Sequence, residues 1–158
     1  MSANADVAED LLDRVAQLHR RLHLGNVRVQ RLHAQTFADP PIAPASIVLT
    51  LATPEVLIEE ARFSTRLTQQ VAIKGEDQDA LAEVEIALVV DFDLDEGPEP
   101  DAEAVAAYVD RNVYFIAHPY LREAVQDATM RLGLDPVVIG VLDRGEDRPA
   151  EVTIVPRR

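Results

Sequence analysis

Two long stretches of alternating apolar and polar residues constrain this chain more than any other feature of its sequence. They span residues 61–73 and 80–94, and a short polar segment, residues 75–79, separates them. Alternation with period two is typical of a strand that has one buried and one solvated face. Two such strands joined by a short polar turn favour an antiparallel hairpin. The chain is therefore predicted to contain an antiparallel sheet.

Further predicted elements precede the hairpin. Residues 6–24 carry valine and leucine at three- and four-residue steps, which predicts an amphipathic helix that Gly25 ends. Residues 27–37 and 46–52 are predicted strands, separated by a proline-rich connection that interrupts the sheet. Together with the hairpin they give a four-stranded antiparallel sheet over residues 27–94.

The second half of the chain is predicted to be helical and then irregular. Asp101 caps a long helix over residues 101–133 that breaks at His118, because a residue before proline avoids helical angles. An apolar loop, residues 134–142, and a tail, residues 143–158, follow. The order of helix, four strands and helices predicts an α+β fold in which the sheet packs with helices, in one domain over residues 1–158.

The charge of the chain restricts its partners. Asp and Glu outnumber Lys and Arg by 28 to 15, which gives a formal net charge of −13. Binding a phosphate backbone requires basic side chains, so nucleic acid is not an expected partner. The chain has no cysteine, its first residues lack the pattern of a signal peptide, and its longest apolar run, residues 87–90, is too short to span a bilayer. We expect a soluble, cytoplasmic protein without membrane insertion.

Motifs that suggest chemistry are incomplete. Residues 91–97 resemble the start of a calcium loop, but Glu96 replaces the required glycine and Ala102 stands at the position of the bidentate glutamate. His19 and His23 have a spacing that can chelate zinc on a helix, but no third ligand accompanies them. Nucleophile elbows and glycine-rich phosphate loops are absent from the sequence. The sequence thus indicates no catalytic residue, metal or cofactor, and we expect a protein that is not an enzyme.

A motif in the second half of the chain resembles the hallmark of the SecB family of protein-export chaperones. Within residues 112–125, Pro119, Tyr120, Arg122 and Glu123 match the family's Pro-Tyr-x-Arg-Glu at the start of a long helix, whereas His118 stands where the family often has phenylalanine. Residues 134–142 are similar to the apolar, proline-bearing loop that follows that helix in the family, and residues 27–32 are similar to its first strand.

The resemblance implies a fold, an assembly and a function. The family fold is a four-stranded antiparallel sheet backed by helices, assembled as a homotetramer that is a dimer of dimers. Its members hold unfolded or nascent proteins in apolar grooves without ATP, for export or for protection of a partner. By analogy, the client-binding residues are expected in the apolar loop and, secondarily, in the strands: Val137, Ile139, Leu142, Leu49, Leu51 and Phe63.

Two departures from the export-dedicated members point to a different client. Residues 33–38 of the matching strand lack acidic residues, and the tail has no further helix with which to engage the export motor ATPase. The additional N-terminal helix is similar to the layout of SecB-like chaperones of actinobacteria, some of which guard the antitoxin of a toxin–antitoxin system. The expected partners are therefore unfolded preproteins or an antitoxin, and engagement of the export motor is in question.

Two alternatives remain open at the level of sequence. A hotdog-type thioesterase, or another small-ligand-binding protein, also wraps a sheet around a long helix, with Glu123 or Asp127 as the candidate helix-borne carboxylate. A structural partner in a toxin–antitoxin system, without general chaperone activity, differs from a holdase mainly in the breadth of its clients.

Overall fold

The fold combines one mixed sheet with a layer of helices. The computed structural model describes residues 3–39, 44–140 and 149–156. The elements follow in this order: α1 (Ala3–Arg21), β1 (Leu22–Thr36), β2 (Ser46–Leu51), β3 (Glu55–Glu59), β4 (Arg62–Lys74), β5 (Ala80–Leu94), α2 (Ala102–Tyr108), a π-helical turn (Val109–Val113), α3 (Tyr114–Arg131) and β6 (Thr153–Val155). The predicted α+β class, with a sheet packed against helices and an N-terminal helix before the strands, is confirmed.

The sheet has the strand order β1-β5-β4-β3-β6, and β2 also pairs with β4. Strand β2 lies antiparallel to residues 69–74 of β4, and β3 lies antiparallel to residues 62–66 of the same strand. The two short strands therefore follow one another along the same side of β4. The four predicted antiparallel positions correspond to β1, β5, β4 and the shared position of β2 and β3.

Two strands of the sheet were not predicted. Strand β3 has only five residues and begins just after Pro54, so it offers too little alternation to be recognised. Strand β6 has three residues in the predicted tail and runs parallel to β3. Its pairing depends on a neighbour distant in sequence, which a local pattern does not reveal.

The junction between α1 and β1 differs from the prediction. The helix ends at Arg21 instead of residue 24, and Gly25 lies inside β1 instead of ending a helix. Leu22 pairs with Leu94 and Leu24 with Phe92, so the backbone of these residues belongs to the sheet. The pairing shifts between Leu24 and Asn26, which places Gly25 at a bulge.

The predicted helix break at His118 is wrong. Helix α3 runs without interruption from Tyr114 to Arg131 with Pro119 inside it. A proline in a helix interior costs about 3 kcal/mol, but Ala117 and Leu121 are buried on either side of it. The packing of these two residues holds the segments before and after Pro119 in one helix. The departure from α-helical geometry lies earlier in the chain, at the π-helical turn.

The core lies between the central strands and the helices. The side chains of β4 and β5 on this side, which we call the helix side of the sheet, are buried, as are those of the helices that face them. Phe63, Phe92 and Tyr108 form three edge-to-face pairs with ring centroids 5.9 Å apart. Burial raises the pKa of Tyr108 to about 12.

Helix α1 packs Val15 and Leu18 into the core cluster, and two of its arginines bind neighbouring segments. The guanidinium of Arg14 lies 2.8 Å from a carboxylate oxygen of Asp101 and 2.8 Å from one of Glu103, at the start of α2. Arg21 donates hydrogen bonds to the carbonyls of Asp95 and Pro98. The N-terminal helix is thus held against the segment that leads from the sheet into α2. None of the described helices combines the length and the apolar character needed to cross a bilayer.

The opposite side of the sheet, which we call the outer side, carries cross-strand polar pairs. The carboxylate of Asp91 accepts a hydrogen bond of 2.6 Å from Ser64 and lies 3.2 Å from the guanidinium of Arg62 and 3.4 Å from that of Arg28. Burial by itself raises the pKa of Asp91, but the Ser64 hydrogen bond and the two arginines outweigh it and hold the pKa below its ordinary value.

Asp91→Asn is expected to lower the free energy of unfolding at pH 7 by about 1–2 kcal/mol, because the change leaves the two arginines without their charged partner. A depressed folded-state pKa stabilises the protein above the unfolded value, about 3.9, and this contribution is lost as the pH falls through the folded-state pKa. The difference between variant and parent should therefore shrink below about pH 4 in urea titrations.

Asp93→Asn is the matched control, since Asp93 lies on the same side of the same strand and is exposed. Its free energy of unfolding is expected to stay within about 0.5 kcal/mol of the parent. A difference between Asp91→Asn and the parent that stays constant from pH 7 to pH 3 would contradict the electrostatic account.

Candidate functional site

Apolar side chains are exposed at the β1 edge of the sheet, on its helix side. Leu24, Val29 and Leu32 are each about half exposed, between 45% and 52%. They lie opposite three buried residues of β5, namely Phe92, Leu88 and Ile86. Directly opposed residues share one side of a sheet, so these side chains extend the core side beyond the cover of the helices.

A second group of apolar side chains lies at the other edge, on β2. We call Ile47, Leu49 and Leu51 the β2 apolar row. Ile47 and Leu49 are each 44% exposed and Leu51 is half-buried. Ile47 and Leu49 lie opposite buried Ile73 and Val71, so the row is also on the helix side. The predicted candidates Leu49 and Leu51 are thus neighbours on one strand.

The backbone of β2 is accessible to a further strand. Within the described ranges, β2 pairs with β4 along one side and with no strand along the other. An edge strand with open hydrogen-bonding groups and apolar side chains is suited to pairing with an extended chain. The β2 edge therefore offers both backbone and side-chain contacts.

The described part of the apolar loop, residues 134–140, is held close to α3. The N–H of Val137 donates to Oγ1 of Thr129 at 3.0 Å, and the imidazole of His118 lies 2.7 Å from the carbonyl of Gly140. These contacts bury Val137 and Ile139, which leaves Val138 exposed between them. The predicted candidates Val137 and Ile139 therefore belong to the core cluster, and the third, Leu142, lies outside the described residues.

Phe63, the remaining strand candidate, does not lie on an accessible surface. Its side chain is fully buried between Phe92 and Tyr108. The alternating pattern indicates on which side of the sheet a residue lies, but Phe63 belongs to a central strand that the helices cover. Phe63 packs in the core and does not belong to the candidate site.

The hallmark motif lies on the outward side of α3. Pro119, Tyr120 and Glu123 are exposed and Arg122 is half-buried, whereas Leu121 between them packs into the core. Tyr120 and Met130 are two large exposed side chains on this helix. The motif thus presents side chains away from the sheet.

The residues weighed for chemistry do not assemble into a reactive site. His19 lies on α1 beside the ring of Tyr108, whereas His23 belongs to β1 and contacts Asp95, so the two do not share a helix. The described part of the chain contains no group of three or more potential metal ligands. Glu123 and Asp127 are exposed on α3, and Asp127 is paired with Arg131. Neither is the enclosed carboxylate that the thioesterase alternative requires.

Sequence reasoning missed the exposed residues of β1 and Ile47 of β2. These residues alternate with polar ones as the residues of a buried strand side do. The local sequence pattern is the same for an apolar side chain that a helix covers and for one that no helix covers. The arrangement as a whole is suited to binding an extended apolar chain at the sheet edges.

Thr129→Val is expected to loosen the apolar loop. Thr129 is fully buried, and the isosteric change removes the acceptor of the Val137 N–H, which costs about 1–3 kcal/mol when the donor stays buried. Hydrogen exchange at the Val137 amide should become at least about tenfold faster, which corresponds to about 1.4 kcal/mol.

Thr129→Ser keeps the hydroxyl and serves as the control for this change. The amide of Val137 should then exchange at a rate close to that of the parent. Equal protection of that amide in the valine and serine variants would show that the Thr129 hydroxyl does not hold the loop.

Comparison with known proteins relates most of the chain to one group of chaperones. No protein-family model matches the chain. It is 32% identical to the SecB-like chaperone Rv1957 of Mycobacterium tuberculosis, over 87% of each chain. It is also 36% identical to the protein-export protein SecB of Aromatoleum aromaticum, over 59% of this chain and 57% of that protein.

A solved structure agrees with these relatives. The M. tuberculosis Rv1957 SecB-like chaperone, in complex with a ChAD peptide from the Rv1956 HigA1 antitoxin, superposes with a TM-score of 0.75 and 26% identity, over 84% of this chain and 98% of that chain. Because the sequence match and the structural match both extend over most of the two chains, this protein belongs to the SecB-like chaperone family.

Proposed function

We propose that this protein is an ATP-independent holdase, which binds unfolded or nascent polypeptides in extended form and performs no chemistry on them. The single observation that carries the proposal is the exposure of apolar side chains at the sheet edges of a chain whose relatives are chaperones. Side chains of this kind on the helix side of a sheet gain about 25 cal/mol for each Å² that a client covers.

The client surface that we propose is centred on the β2 apolar row. Ile47 and Leu49 supply exposed apolar area, and the open side of β2 supplies hydrogen-bonding groups that accept any extended sequence. Backbone pairing is indifferent to side-chain identity, which suits a protein with varied clients. Val137 and Ile139 are buried in the core cluster and do not line this surface.

An antitoxin segment is the better supported client class. The relative solved with an antitoxin peptide matches this chain over 84% of its length, whereas the SecB export protein matches 59%. Exported preproteins remain the second class, because SecB relatives are named for protein export. The net charge of −13 favours clients with basic residues near their apolar segments in either class.

We propose that the protein acts in the cytoplasm as a homotetramer. The outward side of α3, with Tyr120 and Met130 exposed, is the surface that we assign to contacts between copies. Several client surfaces on one assembly increase the overall affinity for a long unfolded chain. Sedimentation equilibrium measures the mass of the assembly directly.

Light scattering from a denatured model protein, diluted with and without this protein at near-stoichiometric amounts, tests the holdase proposal. Suppressed aggregation in the absence of ATP is the expected result. Unsuppressed aggregation, with the protein shown to be folded in the same buffer, would contradict the proposal and leave a dedicated partner as the better explanation.

Leu49→Asp is expected to weaken binding of a reduced and carboxymethylated α-lactalbumin, a permanently unfolded probe, by at least about tenfold. The substitution removes an apolar contact of about 1 kcal/mol, because less than half of the Leu49 side chain is exposed to a client, and it also places a charge against the apolar side chains of the client. Fluorescence anisotropy of the labelled probe gives the dissociation constant.

Thr50→Asp provides the matched control, since Thr50 is the next residue of β2 and faces the outer side of the sheet. It adds the same charge to the same strand, and the dissociation constant should change by less than about twofold, within about 0.5 kcal/mol. Equal weakening by the two substitutions would move the client surface away from the β2 apolar row.

A further inference from the structure

Strand β6 occupies part of the edge to which the proposed client surface belongs. The N–H of Thr153 donates to the carbonyl of Pro54 at 2.8 Å, and β6 then runs parallel to β3 from Thr153 opposite Glu55 to Val155 opposite Leu57. Because β4 already pairs with β3 along its other side, β6 lies on the side of β3 that would otherwise be open.

The open side of β2 and the side of β3 that β6 covers form one continuous edge. Both strands lie along the same side of β4, and the N–H of Ala52 donates to the carbonyl of Thr68 at 2.9 Å, so pairing with β4 continues beyond the end of β2. Only Thr53 and Pro54 separate this point from β3. An extended chain bound along β2 and continuing in line would therefore meet β6.

The segment that carries β6 has the chemistry expected of a client. Its sequence from Val152 to Val155 consists of three β-branched apolar residues and a threonine, and Arg157 and Arg158 follow Pro156. Val152 is half-buried against the core, and Ile154 lies opposite the fully buried Val56. An apolar extended segment followed by basic residues is what an acidic chaperone with an open strand edge should bind.

We infer that the segment around β6 is an internal competitor, which occupies the β3 half of a binding edge that extends from Ser46 to Glu59 and is displaced when an extended client binds along its whole length. The inference rests on the proposed function. A pairing of three residues is short for a strand, whose usual length is about 5–6 residues, so a longer client strand has more hydrogen bonds to offer than β6 has.

Displacement has a quantitative consequence. When an internal segment covers a site about nine-tenths of the time, the apparent dissociation constant of a competing ligand rises about tenfold. Loss of β6 pairing should lower the apparent dissociation constant by that factor.

Thr153→Pro in the full chain removes the N–H that donates to Pro54. Thr153 is exposed, so the substitution leaves the core packing in place. Thr153→Val keeps both the N–H and the preference for strand, and is the matched control. Ile154→Asp weakens the same docking by a different route, through a charge opposite Val56, so that the result does not depend on proline alone.

Two probes are measured by fluorescence anisotropy with each variant. The first is a labelled synthetic peptide with the sequence of residues 149–158, and the second is labelled, reduced and carboxymethylated α-lactalbumin. Thr153→Pro and Ile154→Asp should bind both probes about tenfold more tightly than Thr153→Val, and unlabelled α-lactalbumin should displace the peptide.

The outcomes separate this inference from the proposed function. Equal affinities of all variants for both probes, with α-lactalbumin still bound, would overturn the internal competitor and leave the holdase proposal intact. Failure of every variant to bind α-lactalbumin would overturn the holdase proposal, and the competitor with it. Tighter peptide binding by Thr153→Pro without any gain for α-lactalbumin would show that β6 docks but does not compete with clients.

Discussion

The pairing of β4 with β5 is the interaction on which the rest of the structure depends. It extends from Arg62 opposite Asp93 to Lys74 opposite Ala80, and its helix side is apolar except for the buried Thr65 and Gln69 of β4. An apolar face of this size must be covered, and α2 and α3 cover it around the cluster of Phe63, Phe92 and Tyr108. Strands β1, β2 and β3 pair directly with this hairpin, and β6 joins the sheet through β3.

The limited width of the helix layer leaves part of the same apolar pattern exposed, and this exposed part is the client surface that we propose. The helices bury the central strands, whereas the edge strands continue the apolar side beyond them, as Leu32 of β1 and Leu49 of β2 show. Exposed apolar patches of this kind mark sites of interaction. The core and the proposed client surface therefore come from one pattern of apolar residues. Those that the helices cover form the core, and those that the helices leave uncovered form the client surface. The outer side is different, since Asp91 and its arginines give it a polar surface of paired charges.

The resemblance to the family was first indicated by a short motif whose residues do not form the proposed client site. Tyr120 and Glu123 lie on the outward side of α3, away from the sheet. The motif was nevertheless informative, because it lies in the first part of α3, the long helix whose buried side, including Leu121, packs into the core. Of the strand residues expected to contact clients, Leu49 is exposed on β2 and Phe63 is fully buried on β4, although both stand at apolar positions on the helix side of the sheet.

The sequence by itself determined the α+β class, the four antiparallel strand positions, the N-terminal helix and the acidic character, because period, length and charge are local properties. It misplaced the end of α1 and predicted a break at His118, since pairing with β5 and burial of Leu121 outweigh local preferences. Three features were decided only by the tertiary structure. They are the pairing of β6 with β3, the hydrogen bond from Val137 to Thr129, and the choice of the apolar strand residues that stay exposed. These features depend on contacts between residues distant along the chain, which no local pattern records.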